Sequence, residues 1–248
     1  MSNINLAVSW QAPKTRKWIP IGHLSYNNQQ YEFYYTNGVK EAQEQGFYPF
    51  ARMNDLESLY TSEDVLLPVF ANRLLSKSRP EYKLYQQWLG LDEHSTPLDE
   101  LARNNGIRAT DSIELYLIPN DKKEYKIDFF THGISHLIPS YQKRVKSLEP
   151  KEKLYLMRDI QNEYDSDALL IRTKDPVEIV GYVPRIYAED LANLIHYDNI
   201  CNVTLRVKQV NHDAPMQFQL LCEFCAKIPN NFKSSFEKKE YFSKYQAY

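Results

Sequence analysis

Hydrophobic and polar positions divide the chain into stretches of two different periods. Leu6–Trp10, Trp18–Leu24 and Tyr31–Thr36 read as strands, and Asn37-Gly38 breaks the third. The spacing then lengthens to that of helices. Thr61 with Asp64 three positions on forms a capping-box pattern ahead of Val65, Leu66, Val69, Phe70 and Leu74. Pro80 opens a second helical stretch carrying Leu84, Tyr85, Trp88 and Leu89, closed by Gly90. Thr96-Pro97-Leu98-Asp99 starts a third, with Leu98, Leu101 and Ala102 inward and Gly106 at the stop. Ile113–Ile118 reads as a strand, and the polar run Pro119–Lys123 is the best boundary in the chain. Beyond it, Ile127–Ile138 reads as a further strand.

The second half is organised around Leu154–Ile195. Leu154 and Leu156 alternate with polar neighbours into Arg158-Asp159, as in a half-buried strand. Asp159 to Asp167 then holds four carboxylates, Asp159, Glu163, Asp165 and Asp167, around Asn162 and Tyr164. No packed core absorbs that charge, so the stretch is expected to be an exposed turn. Ala168–Thr173 and Ile179–Val183 return as strands, and Pro184 stands where a helix begins. Tyr187, Leu191, Leu194 and Ile195 fall at i, i+4, i+7 and i+8, one apolar helix face. The resulting fold class is α+β, with a boundary near 121–125.

Composition narrows the function classes. A chain of 248 residues holds one large domain or two ordinary ones. The 43% hydrophobic content supplies a core, and a mean hydropathy of -0.58 argues against a membrane protein. The first residues lack the pattern of a signal peptide, and the three cysteines fit a reducing compartment, so a cytoplasmic protein is expected. A net charge of -2 means that any nucleic-acid contact is local. Basic clusters lie at Lys14–Lys17, at Lys143–Lys153 and in a Tyr/Phe-containing tail over 231–248. Cys222 and Cys225 have metal-site spacing but lie in a strand-like run, where core packing explains them. His132 and His136 have helical metal spacing in a stretch that reads as a strand, and the acidic turn lacks the glycine of a calcium loop. Neither metal nor cofactor is expected.

Arg158-Asp159, Asn162-x-Tyr164-Asp165, Ala168, Gly181-Tyr182-x-Pro184-Arg185, Ala188 and Leu191-Ala192 stand in an order and spacing that resemble the HIRAN domain. The HIRAN-like domain is placed over 126–230. The resemblance implies an OB-like β-barrel with one or two helices that binds DNA without catalysis. It further implies recognition of a single-stranded 3′ end. Asp165 matches the aspartate that accepts a hydrogen bond from the terminal hydroxyl, and Asn162 and Tyr164 match the residues shaping that pocket. Lys143, Arg144 and Lys146 are candidates for phosphates, as is Arg158 unless it orients Asp159 or Asp165, and Arg185 completes the set. One departure stands out. The relatives that bind DNA ends carry Arg-Tyr-Tyr after the first-strand glycine, whereas the positions aligned from Gly133 hold Ser135, His136 and Leu137 here, leaving His136 to stack.

The first half, over 1–121, resembles the N-terminal subdomain of HipA-type kinases through Ile21-Gly22-His23-Leu24, Tyr31-x-Phe33-x-Tyr35 and Val69–Leu75. These are packing residues, and no Gly-rich phosphate loop or kinase catalytic motif follows them. The expected function is therefore a non-enzymatic DNA-binding module. The alternative is an adaptor or antitoxin-like partner of a HipA-type kinase through the first half; a helicase or nuclease is another possible protein partner.

Overall fold

In the computed structural model, residues 4–163, 165, 167–196 and 202–247 are described. Tyr164, one of the expected site residues, lies outside them, as does Cys201. The chain divides into two compact units that are not consecutive stretches. The first comprises Met1–Lys83, Leu91–Asn120 and Ser234–Tyr248, the second Leu84–Gly90 and Asp121–Lys233.

In the first unit, β1 (Asn5–Gln11), β2 (Trp18–Asn27), β3 (Gln30–Tyr35), β4 (Tyr60–Glu63) and β5 (Ile113–Leu117) form an antiparallel sheet in the order β4-β3-β2-β1-β5. Its buried face carries Leu6, Val8, Ile19, Ile21, Phe33 and Tyr35. Those chains meet an aromatic cluster in which Phe33 lies 5.2 Å from Phe70 and Tyr35 6.0 Å from Phe50. The Tyr35 hydroxyl donates to the Met53 carbonyl and accepts from the Phe50 amide, so its polar end is satisfied inside the core. The helices of this unit include α1 (Val39–Glu44), α2 (Pro68–Ala71) and α4 (Pro97–Asn104), with α3 (Tyr82–Trp88) preceding the last.

The capping box expected at Thr61 is not there. Thr61 pairs with Glu32 on strand β4, Asp64 has φ 34°, and the helix that follows is the single turn α2 opened by Pro68. The capping box occurs instead at Thr96 and Asp99, where each side chain accepts the other residue's backbone N–H. The segment expected as a tail over 231–248 is tied to β3 and α1 in its last residues. Asn37 and Gly38 donate to the carbonyls of Ser243 and Tyr241, and the Tyr245 amide donates to the Tyr35 carbonyl.

The second unit is a six-stranded antiparallel sheet curled into a half-barrel. Its strands are β6 (Glu124–Phe130), β7 (Lys153–Arg158), β8 (Leu169–Arg172), β9 (Ile179–Tyr182), β10 (Thr204–Val210) and β11 (Leu220–Lys227), ordered β6-β11-β10-β7-β8-β9. The edge strands β6 and β9 come together just past the end of β6. There His132 and Tyr182 exchange both backbone hydrogen bonds at 2.9 Å. Gly181 makes this approach possible: at φ +141° an added Cβ would lie 2.7 Å from the Thr131 Cβ and 3.0 Å from the His132 carbonyl oxygen.

The strand expected over Ile127–Ile138 ends early for the same reason. After the bridge at His132, Gly133 turns the chain at φ 75° into a 3-10 turn, Ile134–His136, and then into α5 (Pro139–Lys146). Helix α6 (Arg185–His196) buries Tyr187, Leu191 and Leu194 as its spacing predicts, and Tyr187 meets Phe129 of β6 at 6.4 Å. Leu84–Gly90 also serve this unit. Tyr85 packs edge-to-face on Phe218, and the carbonyls of Gln87 and Trp88 accept from the side chains of Gln209 and Asn211.

Candidate nucleic-acid interface

The polar turn between β7 and β8 is pinned from within. The Asp159 amide donates to the Ala168 carbonyl at its base, and the Asn162 amide donates back to the Asp159 carbonyl. The Asn162 side chain then works in both directions. Its Nδ2 donates to Asp159 Oδ2 at 3.3 Å, and its Oδ1 accepts from the Asp165 amide at 3.0 Å. Asp165 Oδ1 in turn accepts from the Asp167 amide at 3.1 Å. Short Asx contacts of this kind hold Asp159 and Asp165 half-buried while Glu163 and Asp167 face water.

The turn is fastened to the edge strand β9 and to the start of α6. The Tyr182 hydroxyl donates to Asp159 Oδ2 at 3.0 Å, and burial together with that bond pushes the Tyr182 phenol up from its ordinary pKa. Arg185 Nε lies 3.3 Å from Asp165 Oδ2. Gly133 presses on the other side of Tyr182, since a Cβ there would meet the ring at 3.1 Å. The Gly181-Tyr182-x-Pro184-Arg185 run is thus read residue by residue. Gly181 admits the neighbouring strand, Tyr182 holds the turn, and Arg185 pairs with its carboxylate.

The structure gathers some of the expected site residues and separates others. Asn162, Asp165 and Arg185 form one connected group. His136 is exposed in the 3-10 turn that begins at Gly133, beside Tyr182. Lys143 and Lys146 are exposed on the last turn of α5, a helix of about 12 Å. Arg144 departs from its expected role. Its guanidinium pairs with Glu152 through Nη2 and with Glu178 through Nε at 3.5 Å, so it ties α5 to the start of β7 and β9 instead of standing free for a phosphate. Arg158 is exposed but lines a different cleft, of 720 Å³, together with Leu156, Leu169, Asn193, Phe232 and Lys233. Asp159 and Tyr182 are the residues that sequence reasoning underweighted. They carry part of the motif, yet only the contact between strands reveals that one anchors the other.

Each unit holds one half-buried imidazole whose pKa is lowered. Burial holds His132 down to about 4, and His23 of the first unit likewise to about 4, with a smaller opposing effect of Glu32. Both rings are neutral at pH 7. Cys222 is buried, and Cys225 is half-buried on the same strand; burial pushes both thiols up. Among the described residues no group of three or more metal-ligating side chains occurs, and no helix is long and apolar enough to cross a membrane.

A curled antiparallel sheet with α6 packed against β6 through Tyr187 and Phe129, and a braced polar turn between β7 and β8, makes up a small β-rich domain. Residues 125–227 match the family model of the HIRAN domain, so the second unit carries a HIRAN domain over that stretch. Two solved structures are similar over 42% of this chain. A Lactobacillus plantarum protein, solved as a structural-genomics target, matches over 97% of its own chain at 16% identity and a TM-score of 0.31. The HIRAN domain of human HLTF matches over 74% of its chain at 14% identity and a TM-score of 0.29. No curated protein matches the chain.

Proposed function

We propose that the second unit binds single-stranded DNA and that the turn from Asp159 to Asp167 receives the 3′-terminal nucleotide. HIRAN domains are associated with DNA binding, which supplies the class of ligand. The observation that carries the finer reading is the Asp165–Arg185 pair, with carboxylate and guanidinium side chains 16% and 43% exposed. An ionised carboxylate offers about four lone-pair directions, and the Asp167 amide and Arg185 Nε use two. A terminal 3′-hydroxyl can donate to what remains. Arg185 has Nε on Asp165, and its two terminal nitrogens, for which no ion pair is found among the described residues, suit a phosphate. An internal phosphate at the position of the hydroxyl would meet a carboxylate and be repelled, and that asymmetry tells an end from a continuing strand.

The test compares oligonucleotides ending in 3′-hydroxyl and in 3′-phosphate. The hydroxyl end binds more tightly, on the order of ten- to hundred-fold, since a hydrogen bond to a charged group is worth roughly 1.5–3 kcal/mol. Asp165→Ala abolishes the preference while the fold survives. Equal binding of both ends, unaltered by Asp165→Ala, would make the turn a scaffold.

The adaptor reading of the first unit has a weaker footing. Tyr31, Phe33, Tyr35 and Phe70, which carry much of its HipA-like resemblance, are all buried and build the core. A docking role needs exposed residues, and its test is direct binding of the full chain to a HipA-type kinase core.

A further inference from the structure

We infer that the cleft lined by the end of β7 is a second ligand site, built for a nucleotide unit: a phosphoryl group joined to a flat base. It does not rest on the reading of the acidic turn. Arg158 is the last residue of β7 and Asp159 the first of the turn that follows, and the two side chains take different surroundings. Asp159 goes to Tyr182 and the turn, whereas Arg158 lines the 720 Å³ cleft. That volume suits a small-molecule site.

The lining is amphipathic in a particular way. Leu156 of β7, Leu169 of β8, which lies opposite Arg158, and Ala192 and Ile195, from one face of α6, give it an apolar floor. Phe232 forms part of the wall, half-buried and held edge-to-face against Tyr125 at 6.2 Å. Arg158 and Lys233 bring two positive charges, and among the described lining residues there is no carboxylate to neutralise them. In a chain with 32 acidic residues and a net charge of -2, such a lining is a local reversal of sign. Neither cation has an ion-pair partner among the described residues, in contrast to Arg144. Asn193 and Asn231 add amides that both donate and accept. Cations for a phosphoryl group, an aromatic and an aliphatic floor for a base and amides for its edge are together the requirements of a nucleotide.

A nucleotide unit has two sources, a free mononucleotide and an internal unit of a bound strand. The experiment uses the full chain and titrates dAMP, deoxyadenosine and inorganic phosphate by calorimetry. The expected result is saturable binding of dAMP, at least ten-fold tighter than either part alone. Arg158→Gln and Lys233→Gln each weaken dAMP by five-fold or more with an unchanged melting temperature, because both side chains are exposed. Because dAMP carries a 3′-hydroxyl of the kind assigned to the turn, the titration is repeated in Asp165→Asn. Binding that survives this change and falls with Arg158→Gln belongs to the cleft, whereas binding lost with Asp165→Asn and indifferent to Arg158→Gln belongs to the turn and overturns the assignment. Addition of a single strand blocked at both ends then distinguishes the sources: displacement of dAMP assigns the unit to a strand, retention to a free nucleotide, and either is consistent with the site. No dAMP binding, binding equal to that of inorganic phosphate, or binding indifferent to Arg158→Gln would overturn the assignment.

Discussion

Gly181 is the residue on which the geometry of the second unit turns. It stands in a strand, where glycine is ordinarily a weakness, at a φ that L side chains rarely adopt and against the backbone of the opposite sheet edge. Gly181→Ala therefore adds backbone strain of roughly 1–3 kcal/mol and a clash with Thr131. Its expected signature is a lower denaturant midpoint with loss of protection at the His132 and Tyr182 amides; an unchanged midpoint would mean the edges need not meet. His132 beside it adds a pH dependence. Its folded pKa is depressed to about 4 from 6.5, so between those values the unfolded chain binds the extra proton. Stability is full above about 6.5, falls as pH drops toward 4, and the loss is complete below that, up to on the order of 3 kcal/mol. His132→Leu should decline less steeply over that window in chemical denaturation at stepped pH. An equally steep decline would assign the effect elsewhere, with His23 the first alternative.

At the scale of elements, the strands were legible where polar and apolar positions alternated, and less so where contacts across the sheet decide. The three early strands, the turn after Arg158 and the helix following Pro184 correspond to elements of the structure. The segment Ile127–Ile138 shows why the reading stops short. Its apolar content continues past Phe130, but Gly133 and the bridge to Tyr182 convert the rest into a turn and the start of α5. The two capping-box patterns make the same point. Thr61-x-x-Asp64 and Thr96-x-x-Asp99 look alike in one dimension, yet pairing with β3 claims Thr61 for a strand. Only Thr96 caps, so Thr96→Ala should cost about 0.5–2 kcal/mol in unfolding free energy, and Thr61→Ala should leave every helix intact. The reverse ranking would undo this account of α4.

For the whole molecule, the chain visits each unit more than once. Leu84–Gly90 belong with the second unit, and Ser234–Tyr248 with the first. Hydrophobic patterning gives no sign of this, because beside the Tyr85–Phe218 ring contact the ties include backbone carbonyls accepting from Gln209 and Asn211 and amides pairing with a terminal segment. The candidate site was legible in part for a related reason. Asn162, Asp165 and Arg185 stand in a recognisable order, but the engagement of Arg144 with Glu152 and Glu178, and the bracing of Asp159 by Tyr182, depend on elements distant in sequence.

The central claim, that the second unit binds single-stranded DNA, is tested most directly by equilibrium binding of the full chain to a labelled single strand with a free 3′ end, across a salt series. The account predicts saturable binding whose logarithm falls linearly with the logarithm of salt concentration, with a slope of about -0.7 per phosphate contacted. Replacing both Lys143 and Lys146 with alanine should make that slope shallower for every strand alike. Absence of saturable binding at low salt, or binding with no salt dependence, would contradict the account.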